Sequence, residues 1–293
     1  MTRAFRVKSR FFRWLDERLG GGEPWGEDPT HYDPDAARAT LATAQRWFGV
    51  GRYFDLDVRG LERVPDGPVL IVSNHSGGTT IPDVWGFLVG WYERFGVERP
   101  LHPLAHEIIL STSRTGEYFA RRGVLHASSA TARDALCAHR RSVMVMPGGE
   151  LDTWRPYDQR WKVRFGDRRG YARVALQCGV PVVPVAHAGA HETLRVLTDG
   201  REFARKVGLK RIARAEVWPV HLSLPWGLAL GPVPHLPTPT RMRYRVGRPI
   251  TVPAASDPQR EPAEADVLAL DAATRDSVQA MLDELRRDAA HGW

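Results

Sequence analysis

The chain has 293 residues, 43% of them hydrophobic, which is enough for one large α/β domain or two small ones. Its formal net charge of +7 favours negatively charged partners such as anionic lipids, nucleic acid or a phosphorylated cosubstrate, without choosing among them. The sequence shows neither an uncharged apolar run of 18 or more residues nor a secretory signal pattern, so any membrane contact is expected to be peripheral.

The N-terminal residues 1–19 combine basic and large apolar side chains at roughly helical spacing. This pattern predicts an amphipathic helix, which either lies in a membrane interface or docks on its own domain with a solvated basic side. Residues 20–34 are rich in glycine and proline and read as a linker. We therefore divide the chain into an N-terminal, membrane-proximal helical segment, 1–48, and an α/β domain with a C-terminal helix, 49–293.

The remaining chain alternates predicted strands with predicted helices. Helices are expected at 35–48, 83–95, 130–139, 169–178 and 266–288, and strands at 53–59, 68–73, 142–146, 180–186 and 242–246. This alternation predicts a single α/β domain with a mostly parallel central sheet flanked by helices. Cys137 and Cys178 lie among apolar residues in two of the helices, so we expect buried free thiols and a reducing, cytoplasmic setting.

Three polar segments follow predicted strands, at the edge where α/β sheets gather ligand-binding loops. The first, 74–83, contains His75 and Asp83. A histidine can accept a proton at neutral pH, and an aspartate on its other ring nitrogen would orient it. Gly77 and Gly78 permit a tight turn whose N–H groups could face a developing oxyanion. Read by itself, a histidine at a strand end is more often a hydrogen-bonded structural residue than a catalytic one.

The second segment, residues 147–150, contains Gly148, Gly149 and Glu150, with Arg155 downstream. Backbone N–H groups in such a turn can hold an anion or polarise a carbonyl, but a simple strand-to-loop turn is the better explanation when the segment is read alone. In the third segment, His187 and His191 are four residues apart, a zinc spacing only if the segment is helical. Gly189 argues against a helix, so no metal is expected.

Together these motifs resemble the lysophospholipid acyltransferase family, in particular a subgroup with N-H-S-G-G and P-G-G-E motifs that is related to the diacylglycerol acyltransferases. The resemblance is carried by residues 74–83, 147–150 and 180–185, and is extended by residues 189–193, 224–227 and 247–250. It covers about residues 50–252.

The resemblance implies transfer of a fatty acyl group from acyl-CoA or acyl carrier protein to a glycerolipid hydroxyl, as in phospholipid biosynthesis. His75 would be the base and Asp83 its orienter. Gly77, Gly78, Gly148, Gly149, Glu150 and Arg155 would contact substrates. No cofactor beyond the acyl donor and no nucleic acid is implied, and the protein is expected at the cytoplasmic face of the membrane as a peripheral protein.

Two departures from the family pattern bear on the acceptor. The aspartate follows the histidine by eight positions instead of five, and P-G-G-E replaces the widespread E-G-T-R motif associated with a phosphorylated acceptor. A neutral acceptor such as diacylglycerol, or a glycolipid hydroxyl, is therefore as good a candidate as a lysophospholipid. The alternatives are a hydrolase of acyl esters or thioesters and a non-enzymatic lipid-binding protein. A serine-nucleophile hydrolase has little support because no G-x-S-x-G motif is present.

Overall fold

The structure is a computed structural model that describes residues 25–110, 112–209, 215–253 and 260–292. The amphipathic helix predicted for residues 1–19 lies outside these ranges. Eleven strands are present in the described ranges. They are β1 (Phe48–Gly49), β2 (Phe54–Arg59), β3 (Leu70–Ser73), β4 (Leu101–Ala105), β5 (Leu125–His126), β6 (Ser142–Val145), β7 (Val182–Ala188), β8 (Arg195–Thr198), β9 (Val220–Ser223), β10 (Gly227–Leu230) and β11 (Thr240–Val246).

Eight of these strands form one sheet, in the order β1-β2-β11-β7-β3-β6-β4-β5. Every neighbouring pair is parallel except β11 and β7, which run antiparallel. The predicted α/β class with a mostly parallel sheet is therefore confirmed. Strands β8, β9 and β10 form a separate antiparallel sheet, which the sequence analysis did not predict.

Helices cover both faces of the large sheet. They are α1 (Pro34–Ala44), α2 (Pro82–Phe95), α3 (Ser113–Ala120), α4 (Ser129–Arg133), α5 (Glu150–Thr153), α6 (Gly170–Cys178), α7 (Arg201–Lys206) and α8 (Glu264–Ala290). Ile71 of β3 packs with Phe87 and Trp91 of α2 in one core, while Leu70 and Val72 join α6 and α8 in the other. Successive strand side chains point to opposite faces, so β3 is apolar on both faces up to Ser73, its last residue.

The two cysteines correct one expectation. Helix α4 continues as a π-helical turn, Asp134–Ala138, and Cys137 in this turn is disulfide-bonded to Cys178, the last residue of α6. The prediction of buried free thiols is wrong: the cysteines are paired and half-buried. Their helices pack side by side on one face of the sheet, which brings residues 41 positions apart to a Cα separation of 5.1 Å. Cysteine chemistry therefore no longer indicates a reducing compartment.

None of the described helices is long and apolar enough to cross a bilayer.

Candidate active site

The three polar segments singled out in the sequence meet at one edge of the sheet. They follow β3, β6 and β7, which are neighbours in the order β7-β3-β6 and run parallel, so their carboxyl ends lie side by side. The His75 backbone N–H donates to Asp152 Oδ2 at 2.7 Å, which joins the first segment to α5. Ser76 Oγ lies 2.7 Å from His187 Nε2, which joins the first segment to the third. The expected convergence is therefore observed.

The first segment contains a turn formed by two glycines. Gly77 and Gly78 have φ angles of 98° and 62°, in the left-handed region that glycine tolerates. A Cβ on Gly77 would lie 2.6 Å from Pro82 Cδ, and one on Gly78 would lie 2.8 Å from His235 Cε1. The turn brings the first residues of α2 back beside His75. It thereby absorbs the extra residues between His75 and Asp83.

His75 and Asp83 form a hydrogen-bonded pair. His75 Nδ1 lies 2.6 Å from Asp83 Oδ2, and the same oxygen accepts the Ser76 backbone N–H at 2.9 Å. Tyr244 of β11 donates its hydroxyl to the Asp83 carbonyl at 2.8 Å, which fixes the start of α2. The Asp83 side chain is fully buried, whereas the His75 side chain is 15% exposed. The His75 ring therefore has a route to a substrate, and its Nε2 is the atom left for proton transfer.

The two groups shift each other's pKa. Burial lowers the pKa of His75, but the negative charge and hydrogen bond of Asp83 outweigh it, so the pKa lies above the ordinary 6.5. Burial raises the pKa of Asp83, and the His75 charge with its hydrogen bond reverses that shift, so the pKa lies below 3.8. Asp83 is consequently ionised at neutral pH. The arrangement is that of a base and its orienting carboxylate.

A second histidine, His187, lies behind this pair. The Asn74 side chain exchanges two hydrogen bonds with the His187 backbone, each 2.9 Å long. Burial lowers the pKa of His187 to about 4, so the ring is neutral. Ser76 Oγ and Asp83 Oδ2 both approach its Nε2, at 2.7 and 3.5 Å. A serine–histidine–aspartate triad needs the aspartate on the other ring nitrogen. Ser76 is therefore not placed as an activated nucleophile.

The side chain of Arg155 lies beneath the pair and not on its open side. It is fully buried and forms an ion pair with Asp152, the residue that accepts the His75 backbone N–H. Its Nη2 also donates to His191 Nε2 at 2.9 Å. Burial and the Arg155 charge lower the pKa of His191 well below 6.5, which keeps this ring a neutral acceptor. In this structure Arg155 braces the loop that carries His75, and its predicted contact with substrate stays a prediction.

The buried ion pair leads to a stability prediction. Arg155→Gln should destabilise the fold by about 3–5 kcal/mol, because it leaves the Asp152 carboxylate buried without its cation. The double variant Asp152→Asn/Arg155→Gln should recover part of this loss, since no buried charge remains. Urea denaturation followed by circular dichroism measures both. If Arg155→Gln instead left the stability unchanged and only raised KM, we would conclude that Arg155 contacts a substrate directly.

The P-G-G-E turn is held by internal contacts. Gly149 has a φ of 49°, and a Cβ there would lie 2.5 Å from Arg168 Nη1, which itself donates to the carbonyls of Pro147 and Gly148. Glu150 Oε1 accepts the Glu216 backbone N–H at 2.6 Å. The turn is thus tied to the chain entering the small sheet. The substrate-binding roles predicted for Gly148, Gly149 and Glu150 stay predictions.

Three residues outside the predicted site, Trp154, His221 and His235, cover the glycine turn. Trp154 and His235 lie against Gly78, and the His221 ring centroid is 5.1 Å from that of Trp154. Thr80 Oγ1 lies 3.3 Å from His235 Nε2. His221 and His235 belong to the chain of the small sheet and the loop after it, where only residues 224–227 carry part of the family resemblance. Their position depends on that sheet folding over the glycine turn.

Metal-binding groups were also sought. Within the part of the chain that the structure describes, no three or more histidine, cysteine, aspartate or glutamate side chains are grouped so as to hold a metal ion.

Part of the chain matches a known protein family. Residues 55–188, which include β3, β6, β7 and the paired His75 and Asp83, match the family model described as Acyltransferase. This segment is similar to acyltransferase-family domains. Its limits enclose the first two polar segments and, of the third, His187 and Ala188. The resemblance inferred from the sequence motifs is thereby confirmed.

Similarity to individual proteins extends beyond the domain. A protein of Mycobacterium bovis, uncharacterized by its name, is 28% identical over 239 residues, 81% of this chain and 63% of that protein. A human protein named DGAT1/2-independent enzyme synthesizing storage lipids is 27% identical over 171 residues, 58% of this chain and 50% of that protein. The corresponding chicken protein is 26% identical over 162 residues, 55% and 47% of the two chains. The chain thus spans about half to three fifths of the length of these relatives.

Proposed function

We propose that the protein transfers a fatty acyl group from a thioester donor to a glycerolipid hydroxyl, with His75 as general base. The observation that carries the proposal is the His75–Asp83 hydrogen bond inside a segment that matches an acyltransferase family model. Of the two residues only the histidine is partly exposed. An oriented, partly exposed base beside a buried carboxylate is what hydroxyl activation requires.

The chemistry follows from the ring geometry. With Nδ1–H donating to Asp83, Nε2 removes the proton of the acceptor hydroxyl as its oxygen attacks the thioester carbonyl carbon. N–H groups of the turn at Gly77 and Gly78 are our candidates for stabilising the oxyanion. Collapse of the tetrahedral intermediate breaks the carbon–sulfur bond, and the imidazolium returns the proton to the departing thiolate. The products are an ester and a free thiol, with no acyl-enzyme.

A neutral acceptor such as diacylglycerol fits the surroundings better than a lysophospholipid. A phosphate group would call for a basic side chain turned towards it, whereas Arg155 is buried against Asp152. Arg168 binds two carbonyls of the turn and pairs with Glu216, and Arg160 pairs with Glu192. The vertebrate relatives are named for the synthesis of storage lipids, which supports the same choice.

The donor and the location belong to the same proposal. Acyl-CoA or acyl carrier protein supplies the acyl group, and the net charge of +7 suits either phosphorylated donor as well as anionic lipid. We place the protein at the cytoplasmic face of the membrane as a peripheral protein, because its proposed acceptor is a lipid.

A product assay tests the proposal. The purified chain is incubated with radiolabelled palmitoyl-CoA and, separately, diacylglycerol, a lysophospholipid panel or a glycolipid, and the lipids are resolved by thin-layer chromatography. We expect label in triacylglycerol, with lysophospholipids as weaker acceptors, and none with His75→Ala. Label appearing only as free fatty acid would identify a thioester hydrolase. Saturable lipid binding without any turnover would identify a lipid-binding protein.

A further inference from the structure

The small sheet has one buried face and one exposed apolar face. In the β8–β9–β10 register, His221 lies opposite Ala229 and Val196, and all three are buried. The alternate positions face outward, where Leu222 pairs with Leu228, and Leu230 pairs with Val220. Leu224 and Leu236 extend this surface through an isolated bridge, next to Trp226. We call it the leucine face; its large exposed side chains are Leu222, Leu224, Trp226, Leu228, Leu230 and Leu236, each 43–63% exposed.

The chain that builds the leucine face carries no charge. From position 217 to position 240 the sequence contains no aspartate, glutamate, lysine or arginine, although charged residues make up 26% of the whole. Exposed strands in water normally carry charged side chains, which keep a sheet edge from associating. A continuous apolar face without them marks a contact surface.

The leucine face lies directly over the candidate active site. Its inner side places His221 against Trp154, and Trp154 lies against Gly78 of the turn that follows His75. The loop after β10 places His235 against the same glycine. The small sheet and the Trp154 side chain therefore lie between the exposed leucines and the turn. A ligand layer that meets the leucine face adjoins the elements that cover the site.

We infer that the leucine face docks on a lipid bilayer, from which the acceptor of the proposed reaction is drawn. Leucine side chains and one tryptophan suit the boundary between headgroups and acyl chains. Trp226 Nε1 donates to the Pro234 carbonyl at 2.6 Å, so the indole enters an apolar layer without an unpaired donor. The face extends the proposed function by naming the surface that delivers its substrate.

Charge at the border of the face supports a bilayer as the occupant. Arg195 of β8 pairs with Leu222 in the register and is exposed, so it lies on the same side as the leucines. Helix α7, which follows β8, exposes Arg205 and Lys206, while Arg201 at its start pairs with Asp199 and the helix carries one acidic residue, Glu202. Basic side chains beside an apolar face match anionic headgroups beside acyl chains.

Vesicle flotation with matched charge variants tests the inference. Leu228→Glu/Leu230→Glu places two charges on the leucine face, and the control Val50→Glu/Leu268→Glu makes the same change at two exposed aliphatic residues elsewhere. With phosphatidylcholine vesicles containing some phosphatidylglycerol, the first variant should bind roughly tenfold or more weakly than the wild type. The control should bind like the wild type, because its two new charges lie away from the leucine face. Its net charge equals that of the first variant, so a difference between the two variants reflects the position of the charges.

Two outcomes would overturn this inference. If both variants bound vesicles equally well, the membrane contact would lie elsewhere, for example in residues 1–19. Sedimentation velocity showing a wild-type dimer that only Leu228→Glu/Leu230→Glu dissociates, with vesicle binding unchanged, would assign the face to a second copy of the chain.

The proposed reaction is tested separately, with diacylglycerol dispersed in detergent, where the Leu228→Glu/Leu230→Glu variant should keep its activity. If the wild type showed no acyl transfer in this assay, the proposed function would be refuted, and the flotation result would still stand.

Discussion

Replacement of His75 by alanine is expected to lower kcat by about 10²-fold to 10⁴-fold, the contribution that general-base catalysis typically makes. His75 is the partly exposed member of the pair, and its ring hydrogen bond goes to Asp83, so removing it takes the proton acceptor from the site. The KM for the acyl donor should change much less. Steady-state kinetics with palmitoyl-CoA and dispersed diacylglycerol measures both parameters.

The chain provides a matched control for this prediction. His139 also lies beside a carboxylate, with its Nε2 3.4 Å from Asp134 Oδ2, but this pair is at the exposed end of the π-helical turn. His139→Ala should keep wild-type activity. Circular dichroism and thermal unfolding must show both variants folded. Near wild-type turnover by folded His75→Ala protein would remove His75 from the mechanism.

Replacement of Asp83 by asparagine is expected to lower activity and to shift its pH dependence. Asparagine keeps the size of the side chain but removes the negative charge that raises the pKa of His75. The base works in its unprotonated form, so kcat/KM of the wild type should rise with pH through an inflection above 6.5. In Asp83→Asn the burial of His75 is no longer opposed by that charge, so the inflection should move to lower pH.

The shift separates an orienting role from a merely structural one. A variant that only loosened the fold would lose activity at every pH without moving the inflection. The maximum kcat should also fall by part of the factor expected for His75→Ala, because the imidazolium formed during the reaction is no longer stabilised. Asp134→Asn is the matched control and should change neither value. An unmoved inflection in Asp83→Asn would show that the carboxylate does not act on His75.

The larger elements of the fold could be predicted from local pattern. The buried strand β3 is a run of apolar residues that needs no partner to be recognised, and α2 begins at a proline and shows helical periodicity. Two features could not be predicted in this way. Strand β11 inserts antiparallel beside β7, and β8, β9 and β10 form a sheet of their own. Both depend on pairing between distant segments, which local periodicity does not encode.

The residues of the candidate site also fall into two groups, those that lie in sequence motifs and those that only the fold brings to the site. His75, Asp83 and the P-G-G-E turn lie in contiguous motifs that the sequence alone reveals. Asp152, which holds the His75 backbone, and His235, which covers Gly78, lie in no motif. Each is a common residue type whose contact with the site is made across chain segments. Arg155 lies close to a motif, yet only its complete burial against Asp152 shows that it braces the loop.

What the sequence by itself determined is the class of the fold, the order of its main elements and the residues of the candidate base and carboxylate, because short-range patterns and contiguous motifs carry that information. The tertiary structure alone decided whether an aspartate eight positions after the histidine can reach its ring. It also decided that Cys137 and Cys178 are bonded. Both are distances between atoms of separate elements, and such distances arise only when the sheet aligns its strand ends and packs its helices.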